Sequence, residues 1–130
     1  MKLSKILIFG NTRVKSDSLP LKILPRLRKQ FPDIKFEVMD PTEIISQNDK
    51  ELWILDTVQG IDDVKIIDDH DLFESQSKIS VHDYDLAFDI KLLLKLGKVK
   101  EIKIIAIPQS MPVTEVLEKV TKLIKTANSM

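Results

Sequence analysis

Three short, nearly unbroken apolar runs constrain the fold of this chain more than any other feature. They occupy residues 6–9, 52–55 and 102–107. Runs of this kind are typical of strands buried on both faces, as in a parallel sheet covered by helices. Residues 34–39 alternate apolar and polar side chains, which predicts a strand nearer the sheet edge, and residues 64–67 predict an added edge strand.

Between these runs, apolar residues recur at helical spacing. A first helix is predicted with Asp17 or Ser18 as its cap, and with a late start or a kink at Pro25. A second helix is predicted to begin within residues 80–83, which resemble a capping box, and to end at Gly97. The third helix carries an apolar stripe of Val116, Leu117, Val120, Leu123, Ile124 and Ala127.

This order of strands and helices predicts an α/β fold. We expect a three-layer sandwich in which a mostly parallel central sheet of about five strands lies between helices on both faces. A chain of 130 residues is long enough to bury a substantial core, so a single domain over residues 1–130 is expected.

Composition excludes several functional classes. The formal net charge is zero and no basic run carries interleaved aromatic residues, so neither nucleic acid nor an anionic membrane is an expected partner. Because cysteine is absent, disulfides, thiolate metal sites and a cysteine nucleophile are excluded. No apolar stretch approaches the roughly 20 residues of a membrane-spanning helix. We expect a cytoplasmic protein that does not insert into membranes and forms a monomer or a small homo-oligomer.

Three residues that can bind metal follow strands or begin helices. Asp17 follows the first predicted strand, Asp56 ends the third, and His82 lies where the second helix is predicted to begin. Because ligands bind outside the carboxyl ends of the strands in an open parallel sheet, we expect these side chains to meet at that edge. Two carboxylates and one imidazole suit a divalent transition metal such as Ni²⁺ or Zn²⁺.

Each of these residues also has an interpretation that needs no metal. Asp17 is a favourable helix cap, Asp56 stands where a strand could simply emerge into solvent, and His82 fits a capping role. Gly10 and Asn11 follow the first strand, but the chain lacks both the G-x-G-x-x-G fingerprint and the P-loop, so a nucleotide site is not expected.

Several of these residues resemble the motifs of the hydrogenase maturation endopeptidases. Gly10 and Asn11 followed by Asp17 are similar to the family's opening motif, in which a metal-binding glutamate follows Gly-Asn. Asp56 resembles the family's aspartate at the end of a strand, and residues 80–82 are similar to the segment that carries its histidine ligand. The resemblance extends in order over most of the chain.

The resemblance implies a specific activity. Members of this family remove a C-terminal peptide from the large subunit of nickel–iron hydrogenase after nickel loading, with the substrate's nickel as recognition signal. It implies that Asp17, Asp56 and His82 bind metal and serve catalysis, and that Asp40 and Asn11 contact substrate. The expected partner is a hydrogenase large-subunit precursor. The expected metal is Ni²⁺ supplied by that precursor, for which Zn²⁺ or another divalent transition metal could substitute.

The chain also departs from the family pattern. Asp17 is one methylene shorter than the family's glutamate, Ser16 replaces an aspartate, and Pro20 replaces a glycine. Residues 40–42, Asp-Pro-Thr, resemble the family's Asp-Gly-Gly-Thr loop without its glycines, and proline forbids conformations that glycine permits. Two other interpretations therefore stay open: a non-catalytic α/β metal-binding or scaffold module, and a receiver-like phosphoacceptor domain with Asp56 as the acceptor.

Overall fold

Six strands and three helices make up the described part of the chain. The computed structural model describes residues 3–9, 18–39, 43, 50–68, 80–81 and 84–129. Its elements are β1 (Lys5–Ile8), α1 (Leu19–Gln30), β2 (Lys35–Val38), β3 (Glu51–Gln59), β4 (Lys65–Asp68), β5 (Ser80–Val81), α2 (Tyr84–Lys95), β6 (Glu101–Ile107) and α3 (Val113–Asn128). None of these described helices has the length and apolar character needed to cross a membrane.

The main sheet has four parallel strands and one antiparallel edge strand within the described residues. The strand order is β2-β1-β3-β6-β4, in which β4 runs antiparallel to β6 and the other neighbours run parallel. The longest pairing joins β3 to β6, from Glu51 opposite Glu101 to Thr57 opposite Ile107. The mostly parallel sheet and the edge positions of β2 and β4 are confirmed.

Each face of this sheet has its own apolar core. The helices α1 and α3 cover the face that carries Ile8 and Leu55, whereas α2 covers the face that carries Leu7 and Ile54. Successive residues of a strand point to opposite faces, so the nearly unbroken apolar runs supply both cores at once. The three-layer α/β sandwich is therefore confirmed.

The start of α1 differs in part from the prediction. The helix begins at Leu19 and continues through Pro25, so the late start is wrong, whereas the alternative of a kink at Pro25 stays a prediction. Ser18 occupies the N-cap position and its carbonyl accepts the N–H of Lys22 at 3.0 Å, but its side chain makes no capping hydrogen bond. Pro25 lies on the exposed side of the helix, where a carbonyl deprived of its amide partner can bind water.

The predicted start of the second helix is also wrong. Ser80 and Val81 form β5, which pairs antiparallel with Gln59 and Val58 of β3, and α2 begins only at Tyr84. The pairing with β3 gives both residues an extended conformation, so Ser80 cannot act as the helix cap.

The C-terminus of α2 agrees with the prediction. Gly97 has a φ of 74°, a left-handed conformation that glycine adopts without strain. The N–H of Lys98 donates to the carbonyl of Leu93, and the N–H of Gly97 donates to that of Leu94, both at 3.2 Å. These two bonds form a Schellman motif, which satisfies carbonyls that the helix end would otherwise leave unpaired.

Candidate functional site

The topological switch point of the sheet lies between β1 and β3. The chain adds β2 on the outer side of β1 and adds β6 on the far side of β3, so the strand order reverses between these neighbours. Ligands of open α/β sheets bind in the crevice outside the carboxyl ends of such strands. Ile8, the last residue of β1, lies opposite Leu55, so Asp56 and Thr57 extend beyond the paired end of β1.

Asp56 places a buried carboxylate at this crevice. Its residue is 7% exposed, and its Oδ1 accepts the backbone N–H of Thr57 at 2.8 Å. The interpretation that the strand emerges into solvent at Asp56 is wrong. Asp56 also does not end its strand, because β3 continues to Gln59 through the pairing with β5. A buried carboxylate is costly unless it is paired, hydrogen-bonded or bound to a cation, and the N–H of Thr57 supplies one such hydrogen bond here.

The strand β5 pairs with the end of β3 that follows Asp56, and His82 comes directly after β5 in the sequence. Val81 lies opposite Val58, two residues beyond Asp56, and His82 is the next residue of the sequence. Alternation along β3 places Asp56 on the face that Ile54 and Val58 occupy, which is the face covered by α2. The helix α2, which follows β5 in the sequence, therefore covers the side of the sheet to which Asp56 points.

The opposite face carries a buried hydroxyl at the same edge. Thr57 is 0% exposed, and alternation places it with Leu55 on the side covered by α1 and α3. Within the described part of the chain, no group forms a hydrogen bond with its Oγ1. Ser18, at the start of α1, is also buried, with 4% of its surface exposed. Sequence analysis did not single out Thr57, although a threonine next to an aspartate within an apolar run was a usable signal.

Of the predicted site residues, Asp56 is the one that the structure describes. Asp17, His82, Asp40 and Asn11 lie outside the described residues, so their convergence with Asp56 stays a prediction. The described ranges contain no group of three His, Asp or Glu side chains able to hold a metal ion, and they include a single member of the predicted trio. The metal assignment likewise stays a prediction.

Three of the predicted site residues, Asp17, His82 and Asp40, have a described neighbour at or beside the end of a helix or strand. Ser18 follows Asp17 and begins α1, and Val81 precedes His82. Met39 precedes Asp40, and its N–H donates to the carbonyl of Ile8 at 3.0 Å, so β2 ends beside the end of β1. The flanking elements thus reach the carboxyl edge from both faces.

The shifted pKa values among the described residues belong to a surface ion pair. Lys119 Nζ of α3 lies 2.6 Å from Asp63 Oδ1, which also accepts the N–H of Val64 at 2.8 Å. The Lys119 hydrogen bond is the main reason why the pKa of Asp63 is lowered, and the same bond raises the pKa of Lys119. Both side chains are exposed, so this pair attaches the β3–β4 connection to α3 and is not a catalytic candidate.

The comparisons with known proteins give a match in structure but none in sequence. No protein-family model matches the chain, and no curated protein sequence matches it significantly. Among solved structures, the chain is similar to the solution structure of the endopeptidase HycI from Escherichia coli, with a TM-score of 0.59 and 16% sequence identity. The alignment covers 95% of this chain and 90% of the other. At this identity the likeness shows a shared fold, and that fold is the one adopted by an endopeptidase.

Proposed function

We propose that this protein is an endopeptidase that removes the C-terminal extension from the large-subunit precursor of a nickel–iron hydrogenase after nickel loading. The observation that carries the proposal is the buried carboxylate of Asp56 at the β1/β3 switch point, beside the strand that leads to His82. The shared fold with an endopeptidase over nearly all of both chains supports a peptidase. The motif resemblance supplies the substrate.

In this proposal the nickel belongs to the substrate. Asp17, Asp56 and His82 bind it, while Asp40 and Asn11 contact the peptide near the scissile bond. Two carboxylates and an imidazole form a donor set that suits Ni²⁺, and Zn²⁺ or a similar divalent ion can substitute. A metal ion bound there would supply Lewis-acid chemistry, polarising the scissile carbonyl or lowering the pKa of an attacking water.

The residues around Asp56 prepare the carboxylate for that role. The N–H of Thr57 holds Oδ1 at 2.8 Å and thereby fixes the orientation of the carboxylate. Burial between β1 and β6 removes most of the water that would otherwise screen its charge, so attraction to a cationic centre is stronger than at the surface. We further propose that the protein acts in the cytoplasm as a monomer or a small homo-oligomer.

The experiment is an incubation of the purified protein with candidate large-subunit precursors, prepared with and without nickel. The large subunit is then measured by mass spectrometry. Loss of a discrete C-terminal peptide from the nickel-loaded precursor, and not from the nickel-free one, is the expected result. If no nickel-loaded precursor is shortened, the proposal fails.

A second measurement separates the peptidase from a non-catalytic scaffold. The variant His82→Ala should retain the thermal midpoint of the wild type and lose precursor processing, because an imidazole ligand is removed from an intact fold. Titration calorimetry with Ni²⁺ and Zn²⁺ should show binding that Asp17→Asn, Asp56→Asn and His82→Ala each weaken. Processing by His82→Ala at the normal rate would reject its role as a ligand.

A further inference from the structure

Among the described residues, the outer edge of β2 is covered at one end and uncovered at the other. Lys35 donates its N–H to the carbonyl of Ser4 at 2.8 Å, and Met39 donates its N–H to that of Ile8 at 3.0 Å. Alternate residues of a strand direct their backbone polar groups to opposite sides. Residues 35, 37 and 39 therefore face β1, whereas residues 34, 36 and 38 face away from the sheet.

The first half of this outer edge is already occupied. The N–H of Ile34 donates to the carbonyl of Phe31 at 3.1 Å, which closes the turn before β2. Arg28 Nη2 of α1 donates to the carbonyl of Phe36 at 3.1 Å. A helix side chain thus covers the edge from its N-terminal end as far as Phe36, in the way that proteins protect exposed strand edges.

The second half has no such cover among the described residues. No described group bonds the N–H of Phe36, and none bonds the N–H or the C=O of Val38. Val38 is 51% exposed, although it is a large aliphatic residue on an edge strand. Edge strands normally carry charge or a bulge at such a point, so an open apolar end is a ready site for another strand.

The uncovered end of β2 is in register with the candidate site along the strands of the sheet. Val38 lies opposite Ile8, and Ile8 lies opposite Leu55, the residue before Asp56. A strand added outside β2 would lie three strand spacings from β3, about 14 Å at the usual spacing. About four or five residues of extended chain, each rising about 3.3 Å, would cover that distance across the carboxyl ends of β2 and β1.

We propose that an extended segment of the peptide substrate adds to β2 at Val38 as a short strand, four or five residues (about 14 Å) from the bond that is cut at Asp56. The inference rests on the proposed function and names the surface that holds the substrate's tail. Val38 exchanges two backbone hydrogen bonds with one tail residue, and Phe36 N–H supplies a third. Arg28 limits the added strand to this end of β2, which fixes the register of the tail against the site.

The first test measures backbone amide exchange by NMR. The probe is a synthetic peptide of the precursor's C-terminal extension with the residues that precede the cut, added to Asp56→Asn so that it is not consumed. Exchange at Phe36 and Val38 should slow in proportion to the bound fraction, while exchange at Lys98, at the end of α2, should not change. This measurement needs no alteration of β2.

The second test compares two substitutions at one exposed position. Val38→Pro removes the N–H that the tail would bind, whereas Val38→Thr keeps both backbone groups and the branched shape. Loss of one such bond should raise KM for the precursor by about three- to tenfold with kcat unchanged. Val38→Thr should retain the wild-type KM. Thermal midpoints of both variants show whether β2 is intact.

The outcomes separate the inference from the proposed function. Normal processing by the wild type, together with unchanged exchange at Phe36 and Val38 in the peptide complex, overturns the docking site and leaves the peptidase standing. Protection that grows with protein concentration in the absence of peptide, with a doubled mass in ultracentrifugation, assigns the edge to a second copy and also overturns it. If no precursor is processed and no peptide binds, both fail.

Discussion

Replacement of Thr57 by valine should stabilise the protein, although it removes a polar group close to the candidate site. Thr57 is fully buried, and no described residue bonds its Oγ1. A buried hydroxyl without a partner costs about 1–3 kcal/mol in lost hydration. Valine has nearly the same shape and carries no such group. We therefore expect Thr57→Val to raise the free energy of unfolding by about 1 kcal/mol.

Thr121 supplies a matched control for the same chemical change. It is 9% exposed, and its Oγ1 donates to Oε1 of Gln30 at 3.0 Å. Thr121→Val removes that hydrogen bond, but Gln30 is exposed and can bond water instead. The expected loss is about 0.5 kcal/mol, at the low end of the usual range. The same substitution should thus act with opposite signs at the two positions.

Urea unfolding followed by tryptophan fluorescence measures both effects. The chain has a single tryptophan, Trp53, and it is 7% exposed in the core beneath α1 and α3, so its emission should change on unfolding. The denaturant slope should be equal in the wild type and both variants. In thermal scans, 1 kcal/mol corresponds to about 4 °C for a chain of this size. Destabilisation by Thr57→Val comparable to that of Thr121→Val would show that the hydroxyl has a partner and would refute the reasoning.

Three further predictions concern other parts of the molecule. Gly97→Ala should lower the free energy of unfolding by about 1 kcal/mol, because alanine is strained at a φ of 74° and nothing else contacts the added methyl; urea midpoints measure it. The pKa of Asp63 is lowered in the folded state, so its ion pair with Lys119 stabilises the fold above the ordinary pKa of 3.8. That stability disappears as the pH falls through the lower folded value, and the urea midpoints of the wild type and Asp63→Asn should then converge. Acetyl phosphate should leave Asp56 unlabelled, as shown by intact mass, whereas labelling would favour the receiver-like interpretation.

The α/β architecture was predictable because the sequence patterns that indicate it are local and recur along the chain. The nearly unbroken apolar runs at residues 6–9, 52–55 and 102–107 are buried only if both faces of each strand are covered, and the apolar stripes of the helices supply that cover. Gly97 marked the end of a helix for a similarly local reason, since few residues adopt a left-handed conformation without strain.

The details around the candidate site depend on pairings that no local pattern reveals. Ser80 belongs to a motif that is typical of a helix start, yet its pairing with Gln59, about twenty residues earlier, converts it into a strand residue. The same pairing extends β3 past Asp56, which local sequence placed at the strand end. Tertiary contacts at the edge of a sheet outweigh propensities of a few tenths of a kcal/mol per residue.

The candidate site itself was predictable only in its location. Ligands of parallel sheets bind at the carboxyl edge, which made Asp56 a candidate. The structure places that residue at the β1/β3 switch point of the sheet. The burial of Asp56, and that of the Thr57 hydroxyl to which no described group bonds, depend on the neighbouring strands β1 and β6 and on the helices that cover the two faces of the sheet. Those contacts join residues far apart in the chain.

The most direct test of the central claim compares two aspartates in the precursor-processing assay. Asp56→Asn removes the buried carboxylate at the switch point, whereas Asp63→Asn removes an exposed carboxylate near the same edge and keeps the site intact. With nickel-loaded precursor, Asp63→Asn should release the C-terminal peptide at the wild-type rate, and Asp56→Asn should release none. Equal release by both variants, measured as the mass of the large subunit over time, would contradict the account.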